Sequence, residues 1–545
     1  MPVLDWIGKD KVVNYYKNLP ISTLIKDKDF SNEDKISNLF IEGDNLFALK
    51  ALLPKYKGKI KCIYIDPPYN TGKEGWKYND NVNDPRIKEW IKKTVGKESE
   101  DLSRHDKWLC MMYPRLLLAE EFLTEDGIMF VSIDDNSIQY LKILMDEIFK
   151  RGNLLANFVW QSDGNADNQG KVKVVHEYIL AYCKNIDLFP HPNVIDPSVL
   201  KNKKSKLHNS EIRNTIVKNG PKNPISEIEL PAGFPCDIEK LFIPKRTDAW
   251  PNYDRDVVVE DYKLVYPVKA SSGWASKNIF LKFIENDFNP VLDTKKQETI
   301  FTITNSGNIE GVKGRKKETQ SHVLSVLRDL GSTQSMSSRL AEQNMEFDFP
   351  KPTELLEYLI SMVSGKDFYV LDFFSGSGST AEAVVQLNLR DEGNRKFILV
   401  EWDESSLKDI GLHRIKNKIE DNVLLSDLGY SYFKISEPIV DKFKNIRKNL
   451  SLDTFLDYLY YKEFNEARDS EVFKNLKVGQ YNDKTLYLLH PDNEIFNENL
   501  LESLSEKNLF KFNEGLSIIY GSHSSISSKK LADLNIVFKQ IPYDL

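Results

Sequence analysis

The chain has 545 residues, of which 41% are hydrophobic and 28% are charged. This length predicts three or four domains of roughly 150 residues each, and the composition excludes a collagen-like, low-complexity or wholly disordered protein. The 74 basic residues are outnumbered by 81 acidic ones, which gives a formal net charge of −7. This balance excludes a histone-like polycation, but it permits nucleic-acid binding if basic side chains gather on one surface.

The cysteines and the N-terminus exclude several other classes. The four cysteines lie far apart and form neither a CxxC pair nor a pairing with histidine, so we expect no disulfide framework and no metal site. The N-terminus has no apolar signal core, and no run of 18 apolar residues occurs in the chain. These features predict a soluble, cytoplasmic protein without membrane contacts.

Hydrophobic periodicity divides the chain into segments. A mixed, charged N-terminal stretch, which we expect to be a helical lead-in, is followed by short apolar strands that alternate with helices of 3.6-residue spacing. This alternation is interrupted by an irregular region rich in Asn, Lys, Ser and Pro, returns after it, and gives way to a mixed C-terminal region. It predicts an α/β fold with a mostly parallel sheet. The segments are 1–37, 38–189, 190–340, 341–430 and 431–545.

The first candidate site follows an apolar strand, IKCIYI, which stops abruptly at Asp66, Pro67, Pro68 and Tyr69. Open α/β sheets bind ligands at the carboxyl ends of their strands. The prolines have fixed φ angles and no N–H donors, so their carbonyls can be held outward. A carboxylate, a fixed carbonyl and an aromatic face suit an exocyclic amino group on a planar ring, which would stack on Tyr69 for roughly 1–3 kcal/mol. The alternative is a strand-breaking turn with Tyr69 packed at its rim.

The second candidate site is a glycine-rich turn between a strand and a helix. Glycines there let the backbone approach a ligand near the positive end of the helix dipole. No Walker lysine and no third glycine in Rossmann register follow, which argues against both common phosphate-binding motifs. Glu401 ends the next strand, KFILVE, where a carboxylate suits a ribose diol; the alternative is a solvated strand end. The residues of the turn are Asp372, Phe374, Gly376, Gly378, Ser379 and Thr380.

Together, the Asp-Pro-Pro-Tyr motif and the Phe374–Gly378 turn resemble the catalytic and cofactor motifs of the amino-group DNA methyltransferases, which use S-adenosylmethionine (AdoMet). The catalytic motif precedes the cofactor motif in the chain, as it does in the circularly permuted β class. The chain is most similar to the modification subunits of type III restriction-modification systems. This similarity rests on the segments DPPYNTG, SIDDN, KVVHEYILAYCKN and SVLRDLGSTQS, the last of which leads to FPKP.

The resemblance implies a fold and an activity. The fold would be the Rossmann-like, mostly parallel sheet of an AdoMet-dependent methyltransferase, circularly permuted, with an inserted mixed α+β domain and a C-terminal extension. Residues 38–189 would form its catalytic half, 341–430 its AdoMet-binding half and 190–340 the target-recognition domain. Residues 431–545 would contact a second copy or a partner. The activity would be methylation of N6 of a flipped adenine in duplex DNA.

The resemblance also assigns roles to residues. Asp66 and the Pro67 carbonyl would accept hydrogen bonds from the amino group, and Tyr69 would stack on the base, with Pro68 completing the motif. Glu401 would hold the ribose of AdoMet, beside the residues of the glycine-rich turn. The remaining assignments are Asp44, Lys351 and Pro352 in the AdoMet site, and His176 and Tyr178 in the target-base pocket.

Two basic clusters in the irregular region are predicted to contact DNA, although a solvated loop is an equal alternative for each. The expected partners are double-stranded DNA, a restriction subunit with nuclease and ATPase activity, and a second copy of the chain. Two alternative functions stay open. One is a catalytically silent DNA-binding subunit that recruits a nuclease, and the other is a stand-alone methyltransferase acting on adenine N6 or, less in keeping with Asp66, on cytosine N4. The residues of the clusters are Lys203, Lys204, Lys206, Arg315, Lys316 and Lys317.

Overall fold

The computed structural model divides the chain into two compact units, residues 1–194 with 323–545 and residues 195–322. Within its described part, no helix combines the length and the apolar character that crossing a bilayer would require. The structure describes residues 3–32, 38–71, 89, 92–93, 103–162, 171–198, 211–294, 296–314, 323–440, 446, 450–466, 468, 476–489, 495–496, 500 and 515–541.

The first part of the larger unit alternates strands with helices. Its strands are β1 (Ser22–Asp27), β2 (Asn38–Glu42), β3 (Ile60–Ile65), β4 (Leu123–Ile133), β5 (Leu154–Gln161) and β6 (His176–Cys183). Its helices are α1 (Lys9–Val12), α2 (Tyr15–Asn18), α3 (Asn45–Tyr56), α4 (Arg104–Phe122) and α5 (Ile138–Met145), the last continued by a π-helical turn (Asp146–Lys150) and a 3-10 turn (Arg151–Asn153).

The second unit is rich in short antiparallel strands around an aromatic core that includes Phe234, Phe280 and Phe301. Among its described residues, a helix α6 runs over Lys277–Glu285. Its strands are β7 (Glu211–Thr215), β8 (Ile225–Leu230), β9 (Leu241–Ile243), β10 (Asn252–Tyr253), β11 (Val257–Glu260), β12 (Lys263–Leu264), β13 (Val268–Gly273), β14 (Val291–Leu292), β15 (Glu298–Ile303) and β16 (Ile309–Gly314).

The larger unit resumes after the second one and ends in a smaller sheet. Its further strands are β17 (Val326–Leu327), β18 (Tyr369–Asp372), β19 (Lys396–Glu401), β20 (Tyr430–Pro438), β21 (Lys477–Tyr481), β22 (Lys484–Leu488), β23 (Ile495–Phe496), β24 (Leu516–Gly521), β25 (His523–Ser524) and β26 (Ile536–Gln540). Its further helices are α7 (Thr333–Ala341), α8 (Thr353–Ser361), α9 (Ser379–Asp391), a π-helical turn (Ser406–Leu412), α10 (His413–Asp421), a 3-10 turn (Val423–Leu425), α11 (Leu452–Phe464) and α12 (Ser528–Asp533).

Ten strands of the larger unit form one sheet in the order β1-β20-β2-β19-β18-β3-β4-β6-β5-β17. The six strands from β20 to β4 are parallel, and β6 is antiparallel to both of its neighbours. The chain passes from β18 to β19 on one side and from β3 to β4 on the other, so the winding direction reverses between β18 and β3. Ligands bind open α/β sheets in the crevice beyond the carboxyl ends of the strands at such a switch point.

Helices cover both faces of this sheet, which explains why its central strands are apolar runs instead of alternating ones. Ile63 and Ile65 of β3 pack in a core with α3, α4 and α5. Cys62 and Tyr64 of the same strand face the opposite side, in a core with α8, α9 and α10. The predicted α/β fold with a mostly parallel sheet is therefore confirmed.

The N-terminal segment corrects one prediction. It contains two four-residue helices but also β1, which pairs antiparallel with β20, so it is not simply a helical lead-in. The apolar pattern in the six residues of β1 is too short to predict a strand. Their pairing partner lies more than 400 residues away in the chain, with Lys26 opposite Phe433. Tertiary pairing decided their conformation over local propensity.

The predicted domain boundaries stay predictions. The second compact unit, 195–322, lies inside the predicted target-recognition segment 190–340, while α7 belongs to the larger unit. β20, which begins one residue before the C-terminal segment 431–545, belongs to the main sheet. Within that segment, β21, β22, β24 and β26 form a separate four-stranded sheet.

Candidate active site

The two motifs that are far apart in sequence lie on neighbouring strands. In the β3–β18 pair, Ile63 stands opposite Leu371, so both strands deliver their next residues to the same edge of the sheet. Asp66 and the glycine-rich turn line one cleft there. Its lining includes Asp66, Lys351, Asp372, Phe374, Ser375 and Gly376.

The glycine-rich turn has a backbone that only glycine adopts easily. Gly376 has φ 48° and Gly378 has φ 75°, both in the left-handed region. A Cβ on Gly378 would lie 2.8 Å from the Cα of Gly411, and one on Gly376 would lie 3.1 Å from the ring of Phe347. The Ser375 hydroxyl is buried and has no hydrogen-bond partner among the described residues. The turn therefore offers a close backbone approach and a spare polar atom to a ligand.

Two buried carboxyl groups hold this turn. Asp372 accepts hydrogen bonds from the Thr380 hydroxyl at 2.5 Å and from the Phe374 N–H at 3.1 Å. Glu401 accepts from the N–H of Gly376 at 2.9 Å and of Trp402 at 3.0 Å. Burial raises the pKa of Asp372 to about 8 and, against these backbone hydrogen bonds, raises that of Glu401 to about 7.

Arg414 of α10 contacts the glycine-rich turn and is almost completely buried. Its guanidinium donates to the Ser377 carbonyl at 2.9 Å and to the hydroxyls of Ser377 and Ser379 at 3.0 Å each. It also pairs with Glu382 of α9 at 2.5 Å. The Ser379 hydroxyl in turn donates to the carbonyl of Lys351 at 2.8 Å. Arg414 thus ties the turn to two helices.

The Asp-Pro-Pro-Tyr segment is held by hydrogen bonds to its backbone. The indole N–H of Trp108 donates to the Pro68 carbonyl at 2.6 Å, and the Ser137 hydroxyl donates to the Tyr69 carbonyl at 3.1 Å. Among the described residues, no donor contacts the carbonyl of Pro67. The predicted role of this carbonyl as an acceptor for an amino group stays a prediction.

A cluster of charged side chains surrounds Asp66. The Lys351 ammonium lies 3.0 Å from Asp66 and 3.1 Å from Glu177, and it stands over the Tyr69 ring at 5.0 Å. The Tyr69 hydroxyl donates to Glu177 at 2.8 Å. Burial raises the pKa of Asp66; Lys351 acts against this rise, whereas Glu177 adds to it. Burial alone would lower the pKa of Lys351, but the two carboxylates outweigh it and the pKa is raised.

The acidic loop before α3 is also connected to the glycine-rich turn. Asp44 caps α3 by accepting from the Leu46 N–H at 2.8 Å, and it pairs with Arg115 at 3.3 Å. The neighbouring Asn45 side chain donates to the Phe373 carbonyl at 2.7 Å. These contacts place Asp44 near the turn, and its role toward a cofactor stays a prediction.

The other predicted site residues fall into three groups. Pro352 caps α8 directly after Lys351, whose ammonium contacts the Asp66 cluster. His176 and Tyr178 lie on the opposite face of β6 from Glu177; they hydrogen-bond to each other at 3.0 Å, and Tyr178 bonds to Asp135 at 2.9 Å. The predicted DNA-binding residues all lie outside the described residues: Lys203, Lys204, Lys206, Arg315, Lys316 and Lys317.

Three residues of this site are missing from the sequence-based assignment. Glu177 stands between the two residues predicted for the base pocket, and the period-two alternation of β6 could have shown that it faces the other way. Trp108 and Arg414 carry no local signal, because their partners are 40 and 37 residues away. Only the fold reveals their contacts.

The chain is similar to known DNA methylases. A family model described as DNA methylase, covering N6 and N4 methylases, matches residues 60–411. The chain is 32% identical over 498 residues to the EcoPI type III Mod subunit of Escherichia phage P1, covering 83% of this chain and 74% of that one. It is 31% identical to the EcoP15I type III Mod subunit of Escherichia coli, covering 74% of this chain and 64% of that one.

Among solved structures, a protein of Thermus thermophilus described as a DNA modification methylase aligns with 12% identity and a TM-score of 0.32, over 73% of this chain and 99% of that one. The family match over residues 60–411 and the 32% identity over most of a type III Mod subunit establish the family of this chain. The chain belongs to the N6/N4 DNA methylase family, together with the Mod subunits of type III restriction-modification systems.

Proposed function

We propose that this protein transfers a methyl group from AdoMet to N6 of an adenine flipped out of duplex DNA, as the modification subunit of a type III restriction-modification system. The observation that carries the proposal is the single cleft lined by Asp66 and by the glycine-rich turn, two motifs more than 300 residues apart in the chain. A methyl donor held by the turn and an amino group held at Asp66 would meet in this cleft.

The residues present fit AdoMet. Gly376 and Gly378 keep the backbone clear of side chains, and the buried Ser375 hydroxyl has a hydrogen bond to offer. When bound, AdoMet would supply an electrophilic methyl group on a sulfonium. Glu401 already accepts backbone N–H groups of the turn, so we assign it first to shaping the turn. Its Oε2 atom, which accepts from Gly376, has a second lone pair that could receive a ribose hydroxyl.

The catalytic residues would act by holding the amino group. Asp66 and the Pro67 carbonyl would accept hydrogen bonds from its two N–H groups, which directs the nitrogen lone pair out of the ring plane, toward the methyl group, and the Asp66 carboxylate would take the one proton that the nitrogen releases once it is methylated. Tyr69 supplies the aromatic face for the flipped base. Because this geometry requires an acceptor at Asp66, its carboxylate should be ionised when the base enters. The enzyme contributes orientation, and the reaction requires no metal.

Asp66 favours adenine over cytosine as the target base. In the DNA methyltransferase family that this chain resembles, the cytosine-N4 enzymes more often carry serine at this position. The type III assignment follows the relatives EcoPI and EcoP15I, which are named Mod subunits of type III restriction-modification enzymes. The proposal therefore includes a restriction subunit as partner, a dimer of this chain and a role for the second unit in target recognition. The DNA contacts of that unit would decide the recognised sequence.

The test is expression in a bacterium that lacks DNA methylation, followed by modification-sensitive long-read sequencing of its genome. We expect N6-methyladenine in one short asymmetric motif, on one strand only. The Asp66→Ala protein should bind AdoMet but lose methylation by at least about 100-fold, on the order of 3 kcal/mol of barrier. Methylated cytosine would overturn the adenine assignment. Soluble wild-type protein that binds AdoMet and leaves DNA unmodified would favour a catalytically silent DNA-binding subunit.

A further inference from the structure

Three charged side chains from distant parts of the chain meet beside Tyr69. Asp66 follows β3, Glu177 lies on β6 and Lys351 precedes α8, and the ammonium stands about equally far from both carboxylates, at 3.0 and 3.1 Å. The exposed fractions of these side chains are 11%, 21% and 5%, respectively. With all three groups ionised, the cluster carries one excess negative charge.

Such a cluster is not expected to stabilise the folded protein. Removing charges from water costs several kcal/mol per ion, and a pair regains this cost only with good geometry. Asp66 and Lys351 alone would make a neutral pair, so Glu177 adds a second partly buried carboxylate next to the first. Glu177 contributes to the geometry of the cluster, because it accepts a hydrogen bond from the Tyr69 hydroxyl and contacts the Lys351 ammonium at the same time.

Resting on the proposed function, we propose that Glu177 and Lys351 are positioning residues for methyl transfer. Lys351 orients the Asp66 carboxylate and keeps it ionised, and Glu177 fixes both the Lys351 ammonium and the ring on which the target base stacks. The excess negative charge of the cluster also faces the amino nitrogen, which becomes positive as its bond to the methyl group forms. Electrostatic stabilisation of this kind is strongest where the charge develops in a site from which water is excluded.

This assignment has consequences of opposite sign for the titration of Asp66. Lys351 favours the ionised form of Asp66 and Glu177 disfavours it. Removing the Glu177 charge should therefore lower the pKa of Asp66, and removing the Lys351 charge should raise it further. Among the described residues, the titratable groups that face Asp66 are Tyr64, Tyr69, Glu177, Lys351 and Asp372.

The experiment compares Glu177→Gln and Lys351→Met with the wild type in single-turnover methylation across pH, using the DNA motif found by sequencing. We expect the plateau rate of Glu177→Gln to fall about tenfold or more, with DNA KM and AdoMet Kd within about threefold. Its acidic limb should move to lower pH, while that of Lys351→Met moves to higher pH. A purely structural role would lower both rates and move neither limb.

The chain offers a matched control at Glu147. This carboxylate also joins a lysine and a tyrosine, with Lys9 at 3.0 Å and the Tyr113 hydroxyl at 3.2 Å, and its exposed fraction of 25% is close to that of Glu177. Glu147→Gln removes an equivalent bridge away from the candidate site. We expect its methylation rate and pH profile to match those of the wild type.

Folding is checked separately by thermal unfolding and by calorimetric AdoMet binding, which do not depend on turnover. If a single variant does not fold, the double variant Lys351→Met/Glu177→Gln keeps the one net negative charge of the wild type, and its acidic limb should lie at higher pH than that of Glu177→Gln, or at lower pH than that of Lys351→Met, whichever single variant folds. A wild type that methylates DNA, with a Glu177→Gln protein of unchanged rate and pH profile, would overturn the inference and leave the proposed function intact. A folded wild type without methylation would overturn the proposed function instead.

Discussion

The indole N–H of Trp108 donates a 2.6 Å hydrogen bond to the carbonyl of Pro68, from α4 to the turn that carries Asp66. Trp108 is fully buried, so the carbonyl has no water to replace this donor. Among the described residues, the neighbouring Pro67 carbonyl accepts no such hydrogen bond. The Trp108 hydrogen bond links the packing of a helix directly to the geometry of the candidate active site.

Trp108→Phe should therefore destabilise the protein by more than the loss of ring volume alone would. The substitution keeps an aromatic ring but leaves a buried carbonyl without its donor, a penalty of about 1–3 kcal/mol. We expect a lower unfolding midpoint and a methylation rate reduced about tenfold, measured by urea unfolding and single-turnover assays. Trp160→Phe is the control, because Trp160 is equally buried and its N–H has no partner among the described residues. Equal losses in the two variants would contradict a role for the Trp108 hydrogen bond.

The glycine at position 378 should tolerate no side chain. Its φ of 75° disfavours any L residue, and an added Cβ would lie 2.8 Å from backbone at Gly411. Gly378→Ala should destabilise the protein by about 2 kcal/mol more than Gly365→Ala and should abolish AdoMet binding. Gly365 has a similar φ of 89° but nothing within 4 Å of an added Cβ. Paired urea unfolding curves and calorimetry measure the difference, which would vanish if only backbone strain mattered.

Arg414 should control the affinity for AdoMet. Lysine at this position keeps the charge but cannot reproduce the fork of bonds to Ser377, Ser379 and Glu382. We expect Arg414→Lys to raise the Kd of AdoMet about tenfold, roughly 1.4 kcal/mol, with a smaller effect on the rate at saturation. Arg395→Lys, at another buried arginine paired with Asp391, should leave the Kd unchanged. An unaltered Kd in Arg414→Lys would show that the turn holds its shape without this residue.

Asp372 should make the stability of the AdoMet-free protein depend on pH. Its pKa is raised by burial to about 8, so the folded protein keeps a proton that the unfolded chain loses near pH 4. The stability from this group is complete below about pH 4 and is lost as pH rises through about 8. Glu401, with a pKa of about 7, acts in the same direction.

Asp372→Asn should accordingly flatten the decline of the unfolding midpoint between about pH 5 and pH 8. The expected change is a few kcal/mol over this range at most. Asp391→Asn is the control, since the guanidinium of Arg395 holds the pKa of Asp391 below its usual value and this carboxyl is ionised throughout the range. A parallel pH profile for wild type and Asp372→Asn would contradict the assignment of a protonated Asp372.

The sequence by itself determined the local parts of this protein. An apolar run that ends at Asp66 and a strand that runs into Gly376 and Gly378 are readable from a few neighbouring residues, because strand periodicity and turn chemistry act over short distances. These motifs were enough to predict the α/β sheet, the order of the two motifs and the resemblance to DNA methyltransferases. The pattern around β1 was too short to do the same.

Only the tertiary structure decided which side chains meet. Parallel strands pair through long crossovers, so nothing near Ile63 in the sequence specifies that Leu371 lies opposite it. The contacts of Lys351 with Asp66 and Glu177 depend on three separate strands and loops closing around one cleft. Such contacts arise from the packing of the whole sheet and its two helical layers, where burial and charge pairing outweigh local preference.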